Sequence, residues 1–345
     1  MAIRVKTVLV GLAALVVVLV LGAITAVGWE VVLGPDAREV TDRRFEVSEA
    51  RLARGKYLAE GPTHCFHCHT EHDLSVPTLP INQARKGAGW AMPIPELNHL
   101  PAPNITPDPE TGLGTWTDDE IARAIREGVR KDGSALFPVM PYLELATLDD
   151  ADVEAIVVYL RTLAPVRSQL PARQLPFPLE YIVKTIPQPI TAPQPSHPSA
   201  TPEQRGEYLA ALATCGGCHT AVDDQNQVLA GLEYGGGGEF DDVGQAGRKI
   251  HTSNITTDPS GIAHYDEGLF KEVIRTGQIR GRILSHVMPF EFLKTMTDED
   301  LSDLFAYLQS LPPVKHRVSN TDPPTPCEVC SRSHGLGELN KKASQ

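Results

Sequence analysis

Two pentapeptides, Cys65-Phe66-His67-Cys68-His69 and Cys215-Gly216-Gly217-Cys218-His219, share the spacing CxxCH at an offset of 150 residues, and they constrain this chain more than any other feature. Two thiols three residues apart on one helical turn reach the two vinyl groups of a porphyrin, and the adjoining imidazole meets the iron from the same side. This is the attachment pattern of c-type haem. Each motif is followed by a Met-Pro pair, Met140-Pro141 and Met288-Pro289, which lie 71 residues after His69 and 69 after His219. The spacing supplies a sixth ligand for each iron, so two six-coordinate haems are expected.

The motifs sit inside a longer repeat. Arg54-Gly55-Lys56-Tyr57-Leu58 recurs as Arg205-Gly206-Glu207-Tyr208-Leu209, and Asn104-Ile105-Thr106 recurs as Asn254-Ile255-Thr256. The offset is 150 at the cysteines and asparagines and 148 at Met140/Met288 and Tyr159/Tyr307, so two parallel halves differ by small deletions. We expect one domain over 31–163 and a second over 201–315. The 164–200 segment between them carries nine prolines and reads as a stiff linker. Because it also holds Leu170, Leu175, Phe177, Leu179, Tyr181, Ile182 and Val183, it is expected to lie along the domains rather than swing free.

Within each half the periodicity is helical. Ser48 to Glu60 and Pro202 to Ala213 read as helices leading into the motifs, and Asp149 to Leu163 and Thr297 to Leu311 as the last helices before Pro165 and Pro312. Thr117 and Thr297 read as N-caps before acidic first turns. No run alternates over enough residues to read as part of a sheet. The expected fold class is mainly α.

Arg4 and Lys6 precede an uncharged apolar run from Thr7 to Trp29. As a helix this run is roughly 35 Å long, enough for a bilayer core of about 30 Å, whereas the apolar part of a cleaved leader is usually about 7 to 15 residues. Residues 1–30 are therefore expected to be a retained transmembrane anchor. Under the positive-inside rule the remainder lies outside the cytoplasm, in a bacterium in the periplasm, as a single-pass protein of the inner membrane. The 43 acidic against 31 basic side chains give a net charge of −12, which disfavours nucleic acid and suits partners with a basic docking face.

Several other residues need a reading. His64, His67, His251 and His286 are expected to be surface or haem-edge histidines, and Met92 to be packing, because methionine fits both distal positions at once. Tyr57 and Tyr208 are expected to pack the first helix of a half on its last one, near Tyr159 and Tyr307. Asn104 and Asn254, with the threonine two residues on, fit loops fixed by side-chain hydrogen bonds to backbone. The Gly235 to Gly238 run lacks the Lys-Ser/Thr of a phosphate loop and reads as a flexible turn. The 316–345 tail holds a third CxxC, Cys327-Glu328-Val329-Cys330, with Ser331 where the histidine would stand and 15 residues after it, too few for a further domain. A disulfide is the favoured reading in an oxidising compartment, with an exposed metal site including His334, or a remnant, as alternatives.

The run Asn104-Ile-Thr-Pro-Asp, Thr111-Gly-Leu-Gly-Thr-Trp-Thr-Asp, Ile125-Arg-Glu-Gly, Met140-Pro-Tyr and Tyr159-Leu up to Pro165-Val resembles the cytochrome c subunits of membrane-bound bacterial alcohol, gluconate and aldehyde dehydrogenases. The resemblance covers roughly residues 45 to 315, more loosely in the second half, and implies two tandem class I cytochrome c domains. It implies thioether bonds at Cys65, Cys68, Cys215 and Cys218, proximal ligands His69 and His219, and distal ligands Met140 and Met288, a His/Met set that raises the iron potential. The better-known members carry three haem domains and this chain two, which puts in doubt for it what they do with the third.

The expected function is electron relay by outer-sphere transfer, from a dehydrogenase catalytic subunit or other respiratory donor to an oxidase, quinone or soluble cytochrome. No catalytic residue is expected. The competing reading is a dihaem enzyme, such as a peroxidase or a thiosulfate dehydrogenase, which needs an iron with a vacant or readily displaced ligand.

Overall fold

The computed structural model describes residues 14–18, 21–22, 25, 28–92, 100–196, 200–223, 227–242 and 247–341. Among them no helix is long and apolar enough to cross a membrane, which corrects the expected transmembrane anchor and the single-pass inner-membrane placement that rested on it. Much of the apolar run Thr7 to Trp29 lies outside the described residues. At its end Gly28 adopts φ 107°, which does not continue a helix, and the helix that follows, α1 (Glu30–Leu33), is a single turn. A span needs about 20 continuous helical residues.

Each half is built on a pair of crossing helices. In the first, α2 (Glu49–Glu60) is capped by Ser48, whose hydroxyl accepts from the Arg51 N–H. It leads into the one-turn α3 (Cys65–Cys68). Then α4 (Asp118–Glu127) opens with a capping box of Thr117 and Glu120, followed by the one-turn α5 (Tyr142–Leu145) and by α6 (Asp150–Leu160), capped by Asp149. The caps satisfy N–H groups that a helix start leaves unpaired. Helix α2 crosses α6 closely because Gly55 has no side chain: a methyl there would sit 1.8 Å from the Ala155 carbonyl oxygen. Leu58, Phe66, Ile121, Leu148, Ile156 and Val157 fill the core beneath the crossing, each large apolar side chain contributing about 1.5–3 kcal/mol on full burial.

After a segment holding the one-turn α7 (Leu179–Ile182), the second half repeats this plan. Its helices are α8 (Pro202–Leu212), α9 (Cys215–His219), α10 (Glu267–Thr276), α11 (Phe290–Leu293) and α12 (Asp298–Ser310). Here a methyl on Gly206 would meet the Asp303 carbonyl oxygen at 2.0 Å. Leu209, Ile274, Phe290, Met296, Leu301 and Leu304 form the second core. The halves touch: Leu212 and Phe292 pack into the first core.

The 164–173 stretch lies on the first half. Val166 and Ser168 bond to the Asn104 and Thr111 side chains, and Arg173 donates to the Ala135 carbonyl at 2.8 Å. Further on, the Gln194 carbonyl accepts from the Asp150 N–H at 2.8 Å.

The structure differs from a strand-free reading. Four two-stranded antiparallel sheets occur: β1 (Trp90–Ala91) with β2 (Pro101–Ala102), β3 (Glu239–Asp241) with β4 (Lys249–His251), β5 (Gln278–Ile279) with β6 (Arg282–Ile283), and β7 (Ser319–Pro326) with β8 (Ser333–Gly335). Most are two or three residues long, too short for an alternating pattern, and β7 contains prolines that argue against a strand in sequence.

Candidate haem sites

Each CxxCH occupies one helical turn entered through a left-handed residue, His64 (φ 35°) before α3 and Thr214 (φ 53°) before α9. That sharp entry turns the chain from the long helix into the motif. The two imidazoles are held alike: His69 Nδ1 lies 2.7 Å from the Pro103 carbonyl oxygen and His219 Nδ1 lies 2.7 Å from that of Ser253. With Nδ1 donating to a carbonyl, Nε2 is the nitrogen left for a metal, and the ring plane is fixed. Burial pushes both imidazoles below the usual histidine range, the carbonyl contact opposing it, so both are held neutral, the form that ligates.

The accepting carbonyls are positioned by the residues after them. Asn104 Oδ1 accepts from the N–H (2.9 Å) and hydroxyl (2.7 Å) of Thr106, while its Nδ2 donates to the Val166 carbonyl at 2.7 Å. Asn254 repeats this with Thr256 at 2.9 and 2.7 Å and with the Val314 carbonyl at 2.7 Å. Both asparagines are buried. The Asn-x-Thr loop expected from sequence is thus also the support of the histidine orientation. Pro103 and Ser253 act only through backbone, so their side chains gave no signal.

Met140 is half-buried against the first core, which Cys65 also touches, and Met288 against the second, which Cys215 touches. Both precede a tight turn in which their carbonyls accept at 2.8 Å from the N–H two residues on, Tyr142 and Phe290. The other histidines take separate places. His64 Nδ1 contacts the Pro62 carbonyl at 3.0 Å, the His286 ring stacks on Phe290 at 5.7 Å, and His251 lies 3.3 Å from a Glu239 oxygen. Met92 donates its N–H to the Leu100 carbonyl at 3.1 Å.

The two motifs face each other across the boundary between halves. His67, in the first motif, packs edge-on against Phe292 at 5.7 Å. At the equivalent place in the second motif Gly217 lies against Glu144, whose Oε1 would be 3.0 Å from a methyl on that glycine. Glu144 and Phe292 each stand four residues after a Met-Pro methionine. Burial, then Cys65, then Cys218 of the other motif push the Cys68 thiol up to about 12. Burial and its neighbouring histidines hold His67 neutral, down to about 3.

The donor set fits covalent haem. All four motif cysteines are free thiols, and each adjoining imidazole offers Nε2 from a fixed ring. A CxxCH turn on a capped helix, crossed at a glycine by the last helix of its unit, defines a c-type cytochrome. Residues 52–164 match the family model described as cytochrome c. Over 280 residues the chain is 28% identical to the cytochrome c subunit of the quinone alcohol dehydrogenase of Gluconobacter oxydans, covering 78% of this chain and 56% of that one. It is 30% identical to the fructose dehydrogenase cytochrome subunit of Gluconobacter japonicus, over 76% of this chain and 52% of the relative. A diheme cytochrome c-type protein of Cereibacter sphaeroides is 30% identical over 48% of this chain and 58% of its own length. The chain therefore spans about half the length of these relatives.

Proposed function

We propose that this chain carries two covalently bound haem c groups and relays electrons as the cytochrome subunit of a dehydrogenase. Cys65, Cys68, His69 and Met140 would hold one group, and Cys215, Cys218, His219 and Met288 the other. The observation that carries this reading is the duplicated support of His69 and His219, each bound through Nδ1 to a carbonyl that an Asn-x-Thr loop fixes. Bound haem supplies a reversible one-electron centre. The protein's part is to fix each imidazole, to place a thioether opposite it, and to keep the attachment turns adjacent across the His67–Phe292 and Gly217–Glu144 contacts. Methionine raises the potential relative to harder ligands.

The relatives named as subunits of alcohol and fructose dehydrogenases support a dehydrogenase catalytic subunit as donor. The acceptor would be an oxidase, a quinone or a soluble cytochrome. The test is pyridine-haem quantitation with optical and low-temperature spin-resonance spectra of the full chain. Two low-spin haems with His/Met signatures are expected. One haem per chain, or a high-spin ferric centre, would overturn the reading and direct attention to an open iron position of the peroxidase type.

A further inference from the structure

The C-terminal CxxC does not form the expected disulfide: Cys327 and Cys330 are free thiols. They are buried, 4% and 1% exposed, in a pocket shared with His316 and His334, each 0% exposed. The ligand atoms of all four lie within 4.8 Å of one another. The β7–β8 hairpin delivers the cysteines and His334, and the strand-like stretch after α12 delivers His316.

We propose that His316, Cys327, Cys330 and His334 bind one Zn²⁺ in a closed, structural site. Zinc–sulfur bonds of about 2.3 Å and zinc–nitrogen bonds of about 2.0–2.1 Å at tetrahedral angles place sulfur and nitrogen about 3.5 Å apart. Cys327 Sγ and His316 Nε2 are 3.5 Å apart.

Both imidazoles are already oriented. His316 Nδ1 lies 3.0 Å from the Gly235 carbonyl oxygen and His334 Nδ1 lies 3.0 Å from that of Gly335, which leaves the two Nε2 atoms for a metal. His334 Nε2 is buried with no hydrogen-bond partner, a costly arrangement for a polar atom unless a cation sits beside it. Asn340 donates to Cys327 Sγ at 3.4 Å, the outer bond expected of a thiolate ligand, and exchanges bonds with the Arg317 backbone at 2.7 and 2.8 Å.

The charges close. Each thiol gives up one proton, and two thiolates with two neutral imidazoles neutralise the dication, so the occupied site can be fully buried. Four protein ligands leave no position for substrate, which makes the site structural. It fastens the tail to the Gly235–Gly238 loop: Gly237 has no side chain where a methyl would meet the His316 ring at 2.7 Å, and the Gly236 N–H donates to the His219 carbonyl at 2.7 Å. That run is a built platform rather than a loose turn.

The test is zinc content of the purified full chain by mass spectrometry, with zinc-edge X-ray absorption. About one zinc per chain is expected, with two sulfur and two nitrogen neighbours at the distances above. The Cys327→Ser/Cys330→Ser variant should lose zinc at least tenfold. Mass spectrometry showing Cys327 joined to Cys330, or zinc retained in the double variant, would overturn the proposal. The absorption spectrum of the unaltered chain decides even if the variant does not fold: a zinc shell without sulfur would also overturn it.

Discussion

Tyr208, on the first helix of the second half, donates its hydroxyl to the Asp152 carboxylate of the first half at 2.9 Å, and Tyr57 makes the reciprocal bond to Asp300. Each tyrosine also faces the N-terminus of the other half's last helix, at the Asp149 N–H (3.3 Å) and the Thr297 N–H (3.2 Å). Asp152 is held from its own side by Arg54 at 2.6 and 2.8 Å. The halves are therefore joined by a quasi-twofold set of polar contacts beside their apolar seam.

Tyr208→Phe removes one hydrogen bond to a charged acceptor without opening a cavity. We expect a loss of roughly 1–3 kcal/mol, read as a lower urea midpoint with an unchanged slope. Tyr57→Phe should behave alike. If neither variant moves the midpoint, these contacts do not join the halves.

The glycine crossings should tolerate substitution worst. In Gly55→Ala and Gly206→Ala the new methyl has only a carbonyl oxygen to meet, at 1.8 and 2.0 Å, so the helices must part. Overpacking of this kind costs about 1–3 kcal/mol and can exceed that, outweighing the gain in helix propensity of about 1 kcal/mol. Thermal unfolding of the two variants checks this, and an unchanged midpoint would mean that the crossings are looser than they look.

The helices were legible because their caps and breakers are local: Ser48, Thr117, Asp149, Thr201 and Thr297 all sit where their side chains reach the N–H three residues on. The motif histidines were legible from spacing, and the Asn-x-Thr loops from their turn chemistry. Partners were not. Tyr57 and Tyr208 were expected to serve their own halves, but helical periodicity gives a face and not its neighbour, and each serves the other half. His316 stands 11 residues before Cys327 with no motif to mark it; only the fold brings it to the pair. Glu144 and Phe292 gain their meaning from the seam, which neither half encodes alone.

Glu144 links pH to the second motif. Burial raises its carboxyl above the usual range, opposed by its own backbone N–H. A carboxyl raised in the folded state binds its proton more tightly there than in the unfolded chain. Its contribution to stability is therefore present below the unfolded value and lost as pH rises through the folded one. An ionised carboxylate at Gly217 also favours ferric over ferrous iron at the haem we place there. The potential of that haem should fall as pH rises from the ordinary carboxylate range toward neutrality, and Glu144→Gln should flatten the slope. Potentiometric titration at several pH values measures both, and an identical slope in the variant would remove Glu144 from the account.

The distal assignments predict separable potentials. Met140→His and Met288→His each exchange a soft thioether for an imidazole, which lowers the potential of a haem. Each variant should therefore shift one of two titration waves downward and leave the other in place, because Met140 packs in one core and Met288 in the other. The wave that moves in Met288→His should be the one whose pH slope Glu144→Gln flattens, since Glu144 lies against the second motif. A redox titration unchanged in both variants would show that neither methionine reaches iron. Movement of the same wave in both would show instead that the two methionines do not divide between two haems.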